Sequence, residues 1–270
     1  RLAARGLPPA ELELILAPLP VETVQVTKSG QERRGGEGSF VLAMLFLALL
    51  FIPSLVYGQE VMRGVIQEKT DRVVELLVSS MTPMELLSGK ILGMAAIGLT
   101  QMAVWVTMGG VVAAAGLSGA RSAGFDLATV LRPSIAVWFV VFFLLSYLVT
   151  VGVYAAGGAI VSSEKEAQQV LTPVMIVFLV PWFLMMPILT NPDSTLSVVL
   201  SLVPIYTPMT MFIRLLVSEP PAWQVALSLL LSVATIAGLL KASAKIFRAG
   251  LLATGKRPTI PELWRWLKEA

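Results

Sequence analysis

Few residues in this chain have the types and spacing that chemistry needs. Gly250 to Lys256, GLLATGK, matches the G-x-x-x-x-G-K run with which a phosphate-cradling loop begins. Such a loop also needs a serine or threonine next, to hold magnesium, and a strand before it. Here Arg257 and Pro258 follow, and the stretch comes straight off an apolar, helix-length segment, so no nucleotide site is expected in it. The chain has no histidine and no cysteine, which removes imidazole acid–base catalysis, thiol nucleophiles, disulfides and Cys/His zinc sites. Intramembrane proteolysis finds no Ser/His dyad, no H-E-x-x-H run and no aspartate pair in an apolar segment. The residues predict no catalytic, cofactor or metal site.

Charge is concentrated instead in QEKTDRVVELLVSSMTPMELLSGK, Gln67 to Lys90, between two of the most apolar runs. From Val61 to Val78, Met62, Val65, Ile66, Val73, Leu76 and Leu77 fall on one helical face, and Arg63, Gln67, Glu68, Asp71 and Glu75 on the other. Glu68 and Arg72 stand i,i+4 with the acid first, the better order in a helix. The pattern predicts a helix lying along the membrane surface. SSMTP breaks its period, and Thr82, Pro83 and Glu85 form a capping box with proline at the first helical position, so a second helix starts at Thr82 and runs into an apolar segment near Ile91. One reading is a solvated loop with a helical face. The sharper one is a docking surface, since the mixed charge is unlike a basic lipid anchor.

The elements that must position these residues are membrane helices. The chain is 56% hydrophobic and 14% charged, with a mean hydropathy of +0.81, whereas soluble domains carry about a quarter charged residues. Five runs, at 40–58, 91–116, 134–161, 170–190 and 222–241, are long enough to cross a hydrocarbon core of about 30 Å. All should be helices, because lipid offers no partner to open backbone groups and the period-two pattern of a membrane barrel is absent. The runs at 91–116, 134–161 and 170–190 contain no Asp, Glu, Lys or Arg, which disfavours an ion-coupled carrier with a charged midplane site.

Orientation follows from the basic residues. Arg63, Lys69, Arg72 and Lys90 flank the first two runs, and Lys241, Lys245, Arg248, Lys256, Arg257, Arg265 and Lys268 follow the last. Segments of the other parity hold only Arg121, Arg132 and Arg214. The positive-inside rule therefore puts 59–90, 162–169 and the C-terminal tail in the cytoplasm and 1–39 outside, where a translocated domain escapes the rule despite its own five basic residues. Residues 9–17 read as a short helix, VETVQV as a strand and SGQERRGGEGS as a flexible linker, together the end of a larger extracytoplasmic domain. The start, RLAARGLPPAELEL, has no signal-peptide pattern, and we read the chain as a fragment.

Residues 194–216 are apolar but broken by Pro204 and Pro208. They join two spans that must return to the same side, so they read as a re-entrant or interfacial helical hairpin rather than a sixth span. Gly89 and Gly93 at G-x-x-x-G spacing, Gly109, Gly110, Gly152, Gly157 and Gly158 would let helices approach closely, within one subunit or across a dimer. Pro173, Pro181 and Pro187 should kink the fourth span. Trp264 and Trp266, with Lys268, end an amphipathic tail over 242–270 that suits interfacial anchoring.

EKTDRVVELLVSSMTPMELLSGKILG resembles the corresponding stretch of type-two ATP-binding-cassette (ABC) transporter permeases, especially the NatB-like branch. So, in order, do VSSEKEAQQVLTP, the broken segment before the last span, and KIFRAGLLATGKRPTIPELWRWLK, so that the resemblance covers about 40–268. It implies an all-α integral membrane protein holding helices two to six of a six-helix ABC exporter subunit. The surface helix at about 60–84 would be the coupling helix, within a transmembrane domain at 40–241 and after the end of an external domain at 1–39. The resemblance further implies docking of a separate ABC ATPase through Glu68, Lys69, Asp71, Arg72 and Glu75, with Ser162, Glu164, Lys165 and Glu166 as secondary contacts. ATP and magnesium would then sit in the partner subunit, with no cofactor in this chain and no nucleic-acid partner. A homodimer, or a heterodimer with a similar permease, and a multi-pass place in the cell membrane with a cytoplasmic C-terminus complete the expectation. The branch suggests sodium as cargo, though no carboxylate ring specifies an ion. A secondary transporter or channel without an ATPase, and a membrane scaffold, remain the alternatives.

Overall fold

A computed structural model describes residues 24–26, 32–34, 37–70, 83–115, 133–161 and 163–252, and Glu262. The chain divides into two units, 1–37 and 38–270. In the first, β1 (Val24–Val26) pairs antiparallel with β2 (Glu32–Arg34), in the register Val24 with Arg34, Gln25 with Arg33 and Val26 with Glu32. β1 lies in the strand expected at VETVQV. β2 falls within the stretch expected to be flexible linker, which therefore holds the second strand of a hairpin.

The second unit is helical: α1 (Glu37–Thr70), α2 (Pro83–Ala115), α3 (Pro133–Ile160), α4 (Glu164–Phe178), α5 (Val180–Phe183), α6 (Met185–Thr190), α7 (Thr195–Leu202), α8 (Thr207–Val217) and α9 (Ala222–Leu252). Among the described residues, five stretches are long and apolar enough to cross a membrane: Phe40–Glu68, Ser88–Met108, Ser134–Ile160, Glu164–Thr190 and Ala222–Ile246. The fourth is segmented at Leu179 and Leu184, next to Pro181 and Pro187, whose missing N–H groups weaken the helix ladder there. Pro53 lies inside α1, and next to it the Ser54 hydroxyl donates to Leu50 O (2.6 Å) and the Ser146 hydroxyl to the same carbonyl (3.2 Å), a polar contact between α1 and α3. α9 runs on through Leu252, so the first part of the expected tail continues the last span.

α3 is the central helix, and its most extensive packing is with α9. Gly152 makes this possible, since a Cβ there would stand 3.0 Å from the Leu239 side chain, and Ser243 of α9 donates to Gly152 O (3.0 Å). The Tyr147 hydroxyl donates to Ile91 O (2.8 Å), tying α3 to α2.

The broken segment forms a helical hairpin, α7 and α8, and α8 is buried from Thr207 through Arg214. Phe212 stands edge-on to Phe46 and Phe139, with ring centroids 5.2 and 5.8 Å apart, so the second arm of the hairpin packs inside the bundle. Arg214, fully buried, is held by three neighbours: Nε donates to Pro192 O (2.7 Å), one terminal nitrogen to Ser201 Oγ (2.8 Å) and the other to Gln224 Oε1 (2.8 Å). Asp193 lies 3.5 Å away and supplies the countercharge.

Candidate functional site

α1 has 34 residues, a length of roughly 50 Å at 1.5 Å per residue, and so outruns the hydrocarbon core. The overshoot carries charge. No proline stands between the apolar run and Thr70, and the helix is continuous. The separate surface helix expected from Val61 is therefore, over 61–70, the end of the first span. Its apolar face is covered by protein rather than lipid: Val61 and Val65 join Ile91, Tyr147 and Ala159, and Met62 and Ile66 join Tyr154, Val161, Ala167 and Leu171. Residues 71–82 of the expected coupling region lie outside the described residues.

On the polar side Arg63 is shared. Its terminal nitrogen bonds Glu60 Oε1 at 2.9 Å, and its Nε faces Glu164 Oε2 at 3.5 Å. All three side chains are 41 to 50% exposed, so each pair contributes under about 1 kcal/mol. Their consequence is positional, since the Arg63–Glu164 pair joins the end of α1 to the start of α4. Ser163 starts α4 with its hydroxyl accepting from Glu166 N (3.4 Å), and Glu164 and Glu166 lie in the first turn, where carboxylates complement the helix dipole.

Glu68 has a partner that its sequence neighbourhood does not suggest. Lys90 of α2 donates to Glu68 Oε1 at 2.6 Å, and both side chains are only a little over one fifth exposed. Lys90 reaches it across Gly64, where an added Cβ would meet the ammonium and stand 3.0 Å from Lys90 Cε. Glu68, expected as a docking contact paired along the helix with Arg72, thus stitches α1 to α2.

Among the other expected site residues, Lys165 is exposed beside Glu164, and Glu166 is half-buried. Lys69 lies in the last turn of α1. Asp71, Arg72, Glu75, Thr82 and Ser162 lie outside the described residues. α2 begins at Pro83 and carries Glu85 in its first turn. Sequence reasoning missed the roles of Glu60, Arg63, Lys90 and Ser163. The signals within reach were a bare Gly64 one turn before Glu68 and a serine directly before an acidic helix start.

The long apolar helices and their buried aromatic core define a multi-pass membrane protein. The chain belongs to a known transporter family, since residues 3–245 match the ABC-2 family transporter proteins, the type-two ABC permeases. It is 28% identical over 258 residues to "Uncharacterized protein YhaP" of Bacillus subtilis (strain 168), covering 94% of this chain and 61% of that protein. It is 27% identical over 239 residues to "Uncharacterized protein MJ1024" of Methanocaldococcus jannaschii, covering 88% and 56%. The chain thus spans about three fifths of the length of these relatives. No solved structure matches it.

Proposed function

We propose that this chain is the membrane-spanning core of an ABC exporter subunit, which docks a separate ABC ATPase at its charged end and pairs with a second permease, a copy of itself or a similar chain. The observation that carries the reading is the Arg63–Glu164 contact, 3.5 Å, which unites the two segments separately expected to meet the ATPase. Glu60, Arg63, Glu164 and Lys165 form the described part of that surface, and Lys69, Asp71, Arg72 and Glu75 extend it. The apolar faces of α1 and α4 beneath are packed on α3, so a push on the charged end moves helices rather than a loop. Only a difference in contact between ATP-bound and ATP-free partners can shift the permease between states. The ATPase provides ATP and magnesium, and the charged end faces the cytoplasm of a cell membrane. Sodium is the cargo suggested by the NatB-like resemblance.

The test is co-purification of the full-length permease with ABC ATPases co-expressed from the same organism. The double charge reversal Arg63→Glu with Lys165→Glu should reduce recovered ATPase at least tenfold while the permease stays folded. Undiminished recovery would count against docking here. Extrusion of radiolabelled sodium from vesicles holding the complex, dependent on ATP, tests the cargo separately.

A further inference from the structure

We propose that a crevice between α1, α3 and α4 is a water-binding site that admits water from the charged end of the bundle as far as the hydroxyl of Tyr154. The crevice, about 10 Å³ and so of the size of a single water, is lined by Gln59, Met62, Tyr154, Gln168, Leu171 and Met175. Tyr154 is 3% exposed, and its hydroxyl makes no hydrogen bond within the protein; the Gln59 side chain is beside it but not in bonding geometry. A buried hydroxyl without a partner is costly, and a phenol both donates and accepts. Ordered water suits a polar site that offers two to four partners. The Tyr154 hydroxyl and the Gln59 and Gln168 amides are three, arranged around one small space on three different helices.

The chemistry of the lining favours water over an ion. It contains no carboxylate, so a bare cation there would have no countercharge. Met62, Leu171 and Met175 make the remaining walls apolar, so hydrogen bonding is confined to the side where the amides and the phenol meet.

Glycines draw the helices together around the crevice. A Cβ on Gly58 would stand 2.9 Å from the Tyr154 ring, one on Gly158 3.0 Å from Met62 O, and one on Gly157 3.0 Å from Leu171, so helix contacts close tightly around the crevice. Tyr154 is six residues from the end of α3, roughly 9 Å along the helix. The Thr150 hydroxyl, one turn deeper, also lacks a partner, but Thr150 does not line the crevice. The site therefore ends at Tyr154. It stands whether or not an ATPase docks above it.

These 270 residues contain no cysteine, so only cysteines elsewhere in the full-length protein have first to be replaced by serine. Single cysteines are placed in the full-length protein in open membrane fragments, so that both faces meet the reagent, and treated with iodoacetate, a small anion that modifies thiolate in water. Met175→Cys should react at least tenfold faster than Val151→Cys, on the fully buried face of α3, or Ile176→Cys, which is 62% exposed on the outside of the bundle. Adding Tyr154→Phe to Met175→Cys should slow the reaction several-fold, because the polar end of the crevice is removed. Reaction at 175 no faster than at 151 would mean a dry seam and overturn the proposal. Equal reaction at 175 and 176 would mean general exposure of α4 and overturn it too, and indifference to Tyr154→Phe would remove the hydroxyl from the site.

Discussion

Arg214 carries a charge where almost everything around it is apolar, and its neighbours explain how. Burial pulls its pKa below the ordinary arginine value, while the Asp193 carboxylate works the other way. The planar fork reaches a carbonyl, a hydroxyl and an amide oxygen on three elements at once, which a lysine's single ammonium cannot do with the same geometry. Arg214→Met should therefore lower stability by about 1–3 kcal/mol, the range for leaving buried polar partners unsatisfied, and Arg214→Lys by a smaller amount. Thermal unfolding in detergent checks this, and an Arg214→Met protein as stable as the parent would show the network to be incidental. In the sequence, Arg214 reads only as one of the sparse basic residues of the outer segments. Its burial depends on Asp193, Ser201 and Gln224 converging in space, and no local spacing encodes that. The same holds for Glu68, which meets Lys90 of a neighbouring helix, a contact that no local spacing encodes.

At the scale of elements, the five spans were legible because hydrophobic runs of sufficient length permit little else in lipid. The hairpin was legible because Pro204 and Pro208 break an apolar stretch whose flanking spans must return to the same side if the basic tail is to stay inside. Glycine spacing was less informative. Gly89 and Gly93 carry the G-x-x-x-G signature, yet a Cβ on either would meet nothing within 4 Å. Gly152, Gly157 and Gly158 are seated against neighbouring helices. One pattern marks both a bare and a packed helix face, because the motif records smallness and not what stands opposite. The contrast gives a prediction. A Cβ at 158 would press on the Met62 carbonyl, a backbone atom that cannot swing aside, so Gly158→Ala should cost about 1–3 kcal/mol. Gly93→Ala should be neutral, or stabilising by up to about 1 kcal/mol from helix propensity. Thermal unfolding of the two variants side by side checks it; a Gly93→Ala loss matching that of Gly158→Ala would mean that another helix or subunit covers this face.

For the whole molecule, the number of crossings decides which ends share a face. α7 has 8 residues and α8 has 11, about 12 and 16 Å of helix, and neither spans a core of about 30 Å. α8 is moreover buried against α3 rather than turned to lipid. The chain thus crosses once from Glu164 to Thr190, turns back through the hairpin without crossing, and crosses once more along α9. It follows that Asn191 and Glu219 lie on one face of the membrane, while Glu164 and Lys241 lie on the other. Single cysteines at these four exposed positions, labelled with an impermeant maleimide in sealed vesicles of known orientation, should split into those two pairs. If the positive-inside reading is right, the 164 and 241 pair reacts only from the cytoplasmic side. Labelling of 191 and 219 from opposite sides would mean that the hairpin crosses after all. The last helix would then be inverted, and its basic end could not share a face with Arg63 and Glu164.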